Sequence, residues 1–527
     1  MHRVLVADDL SKEAVAILRG AGLEVDVRVG LSPEQLEEAI GDYHALAVRS
    51  ATRVTARLLE RAGRLAVIGR AGVGVDNVDV AAATRRGVVV MNTPGGSATT
   101  VAELALAMIL ALARHVASAT ASVKAGRWEK KRFQGRELAG KTLGVVGIGN
   151  IGSILVDRCL ALRMKVIAHD PFIGPDAAAK LGVTLVPLDR LWREADVVSL
   201  HVPLTEQTHH LVGAATLAAM RPGALLVNCA RGGIVDEAAL AAALVSGHLG
   251  GAGLDTFEVE PPPADHPLLR LDNVVLTPHL GASTGEAQAA VAVAIAEQLA
   301  LFLQHGVARG AVNLPALPRE ALALVGPYLP LAERLGALAG QLLPGGLQEV
   351  VVSLGGELAA APGRPLASRV LVGLLRHALD VPANEVSAPA IARERGITLH
   401  EERIDGPQDY AGLLTVAVRG PGGEATVAGT VYGRSDARVV RVGPYRVEAV
   451  PEGPVLLCEN DDAPGVVGNL GTVLGAAGVN IARISLSRTD DRRSAFAFLN
   501  VDSAPGPEVL ERVRALPHVR SVKSIAL

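Results

Sequence analysis

Three short segments in the middle of the chain offer a cation, a carboxylate and an imidazole, in that order. Arg231 lies within Asn228-Cys229-Ala230-Arg231-Gly232-Gly233, and Glu258 and Glu260 stand just before three consecutive prolines. His279 lies within Thr277-Pro278-His279-Leu280-Gly281. An arginine can clamp a substrate carboxylate with two parallel N–H donors. A histidine moves protons near neutral pH, and a carboxylate behind the ring orients it and favours the imidazolium. A hydride carrier nearby would complete the chemistry of an alcohol dehydrogenase. Alternate positions of an extended segment face the same way, so spacing leaves Glu258 and Glu260 in competition. His201, His209 and His210 compete with His279, and Cys229 reads as a small buried spacer.

The hydride carrier has its own signature upstream. Gly144-Val145-Val146-Gly147-Ile148-Gly149-Asn150-Ile151-Gly152 contains a GxGxxG that follows an apolar strand and opens a helical pattern. Gly147 permits the tight turn, Gly149 lets the backbone approach a pyrophosphate, and Gly152 allows close helix–strand packing. The pyrophosphate then lies on a helix N-terminus. Asp170, eighteen residues after Gly152, suits the ribose hydroxyls and repels a 2′-phosphate, which favours NAD over NADP.

The elements that must position these groups form two alternating series. Strand patterns at Val4–Asp9, Val25–Val29, Ala45–Ser50, Ala66–Ala71 and Val88–Asn92 alternate with helical spacing. A single long helix is expected over Thr99–Val123. A second series runs through Leu143–Gly147, Lys165–His169, Val197–His201, Ala224–Asn228, Gly251–Asp255 and Val274–Thr277. A helix at Gly285–Gln304 then returns the chain to the first lobe. The expectation is α/β: two Rossmann-like, doubly wound parallel-sheet lobes flanking a cleft. Asn313–Pro318 reads as a linker. Residues 319–453 mix helices with glycine-punctuated strands, an α+β pattern without assignable chemistry. Residues 454–527 carry the βαββαβ order of a ferredoxin-like unit.

Composition narrows the function classes. Hydrophobic residues make up 49% and charged residues 20% of the 527, which excludes a disordered chain and predicts several domains. A net charge of -3 gives no electrostatic reason to expect nucleic acid or an anionic membrane as partner. Cys159, Cys229 and Cys458 are too scattered for a disulfide framework or a metal site. The longest uncharged stretch, Ala463–Ala482, holds five glycines and makes a poor membrane span. The N-terminal residues read as a strand rather than a signal peptide. A reduced, cytoplasmic, soluble protein is expected.

Taken together, Val48-Arg49-Ser50-Ala51-Thr52, the stretch from Arg70 to Asp79, the GxGxxG turn, the stretch from Asn228 to Glu237 and the stretch from Pro278 to Thr284 resemble the D-isomer-specific 2-hydroxyacid dehydrogenases. The resemblance is strongest over residues 1–315. It implies a discontinuous substrate-binding lobe (1–98 plus 283–314), an NAD-binding Rossmann domain (99–282), an intervening regulatory or assembly domain (319–453) and an ACT domain (454–527). It assigns Arg231 to substrate binding, Glu260 to pairing with His279, and His279 to proton transfer. It also implies cofactor contacts from Gly147, Gly149, Asn150, Ile151, Gly152, Asp170, Val73, Cys229, Ala230, Arg231, Asp255, His279, Gly281 and Ala282.

The order of lobes is most similar to the long family members that oxidise 3-phospho-D-glycerate with NAD. Arg49, Arg70 and Arg231 are then the substrate-binding arginines, and Lys130-Lys131-Arg132 a basic cluster able to reach a neighbouring cleft. Serine-binding ACT domains carry polar residues around a Pro-Gly turn, and Asn460, Asp462 and Asn480 match around Pro464-Gly465. L-serine is therefore the expected effector and a homotetramer the expected assembly. Rival readings are a reductase of another 2-oxo acid, such as 2-oxoglutarate, and a non-catalytic NAD-sensing interaction protein.

Overall fold

The computed structural model describes residues 1–314, 319–376, 383–406, 409–433, 435–489 and 491–527. The expected linker falls partly on residues 315–318, which lie outside the described residues. Strands β1 (Arg3–Val6), β2 (Glu24–Val27), β3 (Ala45–Val48), β4 (Val67–Arg70) and β5 (Val89–Met91) form a wholly parallel sheet in the order β2-β1-β3-β4-β5. The second sheet uses β6 (Thr142–Val146), β7 (Lys165–His169), β8 (Thr184–Leu185), β9 (Val197–Leu200), β10 (Leu225–Asn228), β11 (Gly251–Leu254) and β12 (Val274–Leu276). Its order is β12-β11-β10-β9-β6-β7-β8, again parallel. The central strands β3, β9, β10 and β11 are buried at every residue, as expected where helices cover both faces. Only the two-residue β8 was invisible in the sequence, being too short to show a period.

Each sheet reverses its winding once, between β1 and β3 in the first and between β6 and β9 in the second. Ligands of open α/β sheets bind at the carboxyl ends of the strands at such a reversal. The GxGxxG turn follows β6 at that point, and Arg49 follows β3.

The expected single helix over Thr99–Val123 is two. Ala98–Ala113 and Val116–Lys124 meet at 63°, with His115 in the left-handed region at φ 54°. No glycine or proline marks the break. It comes from a distant segment: Arg136 N–H donates to Ala113 O at 2.9 Å, where Gly135 lets the chain approach. The returning helix, Gly285–His305, is long and apolar enough to cross a membrane. Here Val291, Ile295, Ala296 and Leu299 are instead built into the core of the first lobe. Its start is set by Thr284, whose hydroxyl accepts from Ala287 N–H.

Beyond the lobes, a six-stranded sheet holds β13 (Glu349–Gly356), β14 (Thr398–Ile404), β15 (Gly412–Gly420), β16 (Gly423–Tyr432), β17 (Asp436–Val442) and β18 (Tyr445–Ala449). Its order is β14-β13-β15-β16-β17-β18. The last sheet, β19 (Pro454–Asp461), β20 (Ile481–Arg488), β21 (Ser494–Val501) and β22 (Val519–Ala526), is antiparallel in the order β20-β21-β19-β22. Helices Val466–Ala476 and Pro507–Arg514 complete the ferredoxin-like unit.

Period 2 gives that last sheet two buried faces. Leu456 and Cys458 turn toward its own helices, while Val455, Leu457, Phe496, Phe498 and Ile525 join the core of the six-stranded sheet. Tyr445 stacks on Phe496 at 5.0 Å and donates to Glu459 Oε1 at 2.6 Å. Residues 319–453 and 454–527, separate in the sequence pattern, share one core.

Candidate active site between two parallel sheets

The turn after β6 has the geometry its glycines suggest. Gly147 sits at φ 93°, and a Cβ there would lie 2.6 Å from His201 O. A Cβ on Gly152 would lie 2.2 Å from Gly147 O, so any side chain would push the helix off the turn. Gly149, by contrast, faces open space at the start of helix Asn150–Ala161. Asp170 accepts from Ile148 N–H at 2.8 Å and from Phe172 N–H at 2.9 Å. It therefore ties the end of β7 to the turn, and the remaining lone pairs of its carboxylate stay available to a ribose.

Across the cleft edge, His279 Nδ1 lies 2.8 Å from Glu260 Oε2, and Glu260 Oε1 accepts from Phe257 N–H at 3.1 Å. Glu258 is engaged elsewhere: its Oε1 meets His210 Nε2 at 2.9 Å. Geometry thus decides between the two glutamates that spacing left open. Each histidine competitor is also accounted for. His210 belongs to Glu258 and stacks on His209 at 4.0 Å. His201, half-buried as a residue, has an enclosed Nδ1 without a partner, and burial pushes its pKa down to about 4. It is therefore neutral near pH 7, and His279, unlike it, is half exposed.

His279 is in the left-handed region at φ 53°, and Asp255 shapes its surroundings. That carboxylate, fully buried at the end of β11, accepts from Thr277 Oγ1 at 2.5 Å, Leu280 N–H at 2.6 Å and Gly281 N–H at 2.8 Å. A residue expected to touch the cofactor is thus also a brace for the His279 loop. Gly281 is buried against it and Ala282 is exposed. Cys229 is buried beside Met108. Burial, with Asp255 adding, drives its thiol well above the ordinary range, so it is no nucleophile. Ala230 O accepts from Arg231 Nη1 at 2.7 Å.

Arg231 reaches from one lobe to the other. Its Nε pairs with Asp76 Oδ2 at 3.0 Å, and the bare Gly74 makes room for its guanidinium. Its loop packs on the Glu260 turn, since a Cβ on Gly232 would lie 1.8 Å from Phe257 O. Arg70 is held below the ordinary arginine range by burial first, then by Arg231, with Arg49 adding. Its Nε has no partner, and Gly72 leaves the space its guanidinium fills. Three cations thus gather here, with Asp76 and Asp8 partly offsetting their charge at Arg70, an arrangement suited to an anionic substrate. Val73, in the same loop, accepts through its carbonyl from Asn92 Nδ2.

Asp8 and Asn77 escaped the sequence reading, although both belong to this scaffold. Buried Asp8 accepts from Arg49 N–H at 2.6 Å and Thr52 Oγ1 at 2.6 Å. Asn77 donates to Arg49 O and Thr52 O, both at 2.7 Å. Asp8 follows β1 at the winding reversal, a positional signal that was legible. The Lys130–Arg132 cluster lies on a short 3-10 turn, where Arg132 is paired with Glu129 and Asp272. In the C-terminal unit Asn460 is buried and donates to Asp461 O at 2.6 Å. Asp462 pairs with Arg488 at 3.3 Å, and Asn480 donates to Asp502 Oδ2 at 2.9 Å. Among the described residues, no group of three or more His, Cys, Asp or Glu is arranged to hold a metal ion.

Residues 106–281 match the model of the D-isomer specific 2-hydroxyacid dehydrogenase NAD binding domain. Residues 324–443 match the D-3-phosphoglycerate dehydrogenase intervening domain, and residues 455–518 the ACT domain. A D-3-phosphoglycerate dehydrogenase of Archaeoglobus fulgidus is 43% identical over 98% of this chain and 98% of its own length. The chain belongs to the D-3-phosphoglycerate dehydrogenase branch of the D-isomer-specific 2-hydroxyacid dehydrogenases.

The Bacillus subtilis member of that branch is 37% identical over the full length of both chains. Among solved structures, D-lactate dehydrogenase from Aquifex aeolicus, complexed with NAD and lactic acid, is 29% identical with a TM-score of 0.53. The match covers 60% of this chain and all of that one. The TT0316 protein from Thermus thermophilus is 41% identical with a TM-score of 0.54, over 59% of this chain and 99% of that one. The family is NAD-dependent, and the glycine turn with Asp170 is the part of this chain suited to that cofactor.

Proposed function

We propose that this chain oxidises 3-phospho-D-glycerate to 3-phosphohydroxypyruvate, the entry to L-serine synthesis. The observation that carries the reading is the His279–Glu260 pair at 2.8 Å. The Glu260 turn packs against the Arg231 loop through Phe257 and Gly232, and Arg231 and Arg49 are both close enough to act on Arg70. Glu260 engages Nδ1 and so leaves Nε2 of His279 for the substrate hydroxyl. As the C–H bond breaks, the hydroxyl proton passes to Nε2 and the carbon–oxygen double bond forms. NAD, when bound at the glycine turn, supplies the hydride acceptor. Arg231 holds the α-carboxylate and polarises the reacting oxygen. Arg70 and Arg49 take the phosphate.

Asn150, Ile151, Asp170 and the turn glycines bind the cofactor, with Val73, Cys229, Ala230, Asp255, Gly281 and Ala282 lining its path. At the C-terminal unit, Asn460, Asp462 and Asn480 read the ammonium and carboxylate of L-serine, which restrains turnover in a cytoplasmic homotetramer. The family membership and the shared C-terminal core support this regulatory reading.

An NAD-reduction assay across 3-phospho-D-glycerate, D-glycerate, D-lactate and D-2-hydroxyglutarate, with and without L-serine, tests the proposal. Preference for the phosphorylated acid and inhibition by serine are expected. Equal or better turnover of an unphosphorylated acid overturns the substrate assignment, and indifference to serine overturns the effector assignment.

A further inference from the structure

The turn that carries Glu260 has no regular structure of its own, so something else must hold its shape. The structure assigns this task to Glu237. That residue opens helix Glu237–Val245, directly after Asp236, whose side chain caps the helix by accepting from Ala239 N–H at 2.9 Å. Glu237 is 8% exposed. Its Oε1 accepts from Glu258 N–H at 2.7 Å, and its Oε2 meets His266 Nε2 at 2.9 Å. One buried carboxylate therefore clamps both ends of the loop from Glu258 to His266, and Glu260 lies inside that loop.

Three further contacts make the clamp rigid. His266 N–H donates to Pro263 O at 2.9 Å, and the His266 ring meets Phe257 edge-on at 6.3 Å. Phe257 O is pressed against Gly232 of the Arg231 loop, while Phe257 N–H donates to Glu260 itself. A buried carboxylate persists only when its oxygens are satisfied, and these two are satisfied by the loop alone. Burial raises the Glu237 pKa, while the Glu258 N–H and His266 oppose that shift.

We infer that Glu237, with His266, is a positioning residue for proton transfer: it fixes the Glu258–His266 loop so that the Glu260 carboxylate meets His279. This rests on the reading of Glu260 and His279 under the proposed function. The expected effect of Glu237→Ala is a fall in kcat of about 10-fold, below the roughly 10²–10⁴-fold of acid–base participation itself. NADH affinity by fluorescence should stay unchanged, because the cofactor turn is on another loop. Glu237→Gln keeps an acceptor for the Glu258 N–H and can donate to His266 in its other tautomer, so it should recover most of kcat.

The deciding measurement is a double-mutant cycle with Glu260→Gln. If Glu237 acts through Glu260, Glu237→Ala costs little on the Glu260→Gln background. Full additivity, or no rescue by glutamine, overturns the positioning role in favour of a merely structural one. Normal turnover by Glu260→Gln alone overturns the underlying proton-transfer reading instead, so the two failures are distinguishable. Should Glu237→Ala not fold, His266→Asn in the same cycle, with a thermal melt as control, carries the test.

Discussion

The cleft and the C-terminal Pro-Gly turn both hold polar residues of matched type, and the structure treats them differently. In the cleft the candidate reactive groups and their supports engage one another. Glu260 meets His279, Arg231 crosses to Asp76, and buried Asp255, Asp8 and Glu237 brace the loops beneath them. At the C-terminal turn Asn460, Asp462 and Asn480 each turn to a separate neighbour, namely Asp461, Arg488 and Asp502. An effector there must exchange existing hydrogen bonds for new ones, at a net difference of only about 0.5–1.5 kcal/mol per bond. The cleft is preorganised, as a reaction requires. At the C-terminal turn each polar group is already committed to its own neighbour.

Breaking the cleft half should have the largest effect. His279→Ala is expected to lower kcat by at least about 100-fold with NADH binding retained, the signature of lost acid–base catalysis; stopped-flow hydride transfer would measure it, and near-normal turnover would remove His279 from that role. Arg70→Met keeps the apolar stem but loses the charge. It should raise KM for 3-phospho-D-glycerate by about 10–100-fold, the usual worth of a hydrogen bond to a charged group. If KM for D-glycerate rises equally, Arg70 does not read the phosphate. Asp170→Ala removes both a ribose acceptor and a repulsion, so the preference for NAD over NADP should fall by about 10-fold or more.

The C-terminal half is broken more quietly. Asn480→Ala should abolish serine inhibition while leaving kcat within about twofold, as expected for a residue far from the transition state. Inhibition that persists would move the effector to other residues.

His201 offers the smallest test, one of stability rather than rate. Burial lowers its folded pKa to about 4 from an ordinary 6.5. Between those values the unfolded chain binds a proton that the native protein refuses, so stability rises with pH through this window. Its contribution is present above about pH 6.5 and is lost as pH falls toward 4, amounting to about 2 kcal/mol between pH 7 and pH 5. Urea titrations at both pH values, compared with His201→Asn, should show a shallower pH dependence in the variant.

Much of the architecture was legible because parallel strands buried on both faces write nearly continuous apolar runs, as at Ala45–Val48 and Leu225–Val227. The bend at His115 was not, since its cause is a carbonyl capped from residue 136 and nothing local marks it. Nor was the common core of the last two sheets. Val455 and Leu457 read as ordinary strand residues until the structure supplied the second face they bury against.

The site divides in the same way. Residue types and turn chemistry, being local properties, already named the glycine turn, Asp170, Arg231 and His279. The pairing of Glu260 rather than Glu258 with His279 and the bracing by Asp255, Asp8 and Glu237 depend on hydrogen bonds between residues far apart in sequence, and the neutral state of His201 depends on its burial. Burial decides whether a carboxylate or an imidazole keeps its charge and which partner it takes. Burial is a property of the packed chain, and only the tertiary structure decides it.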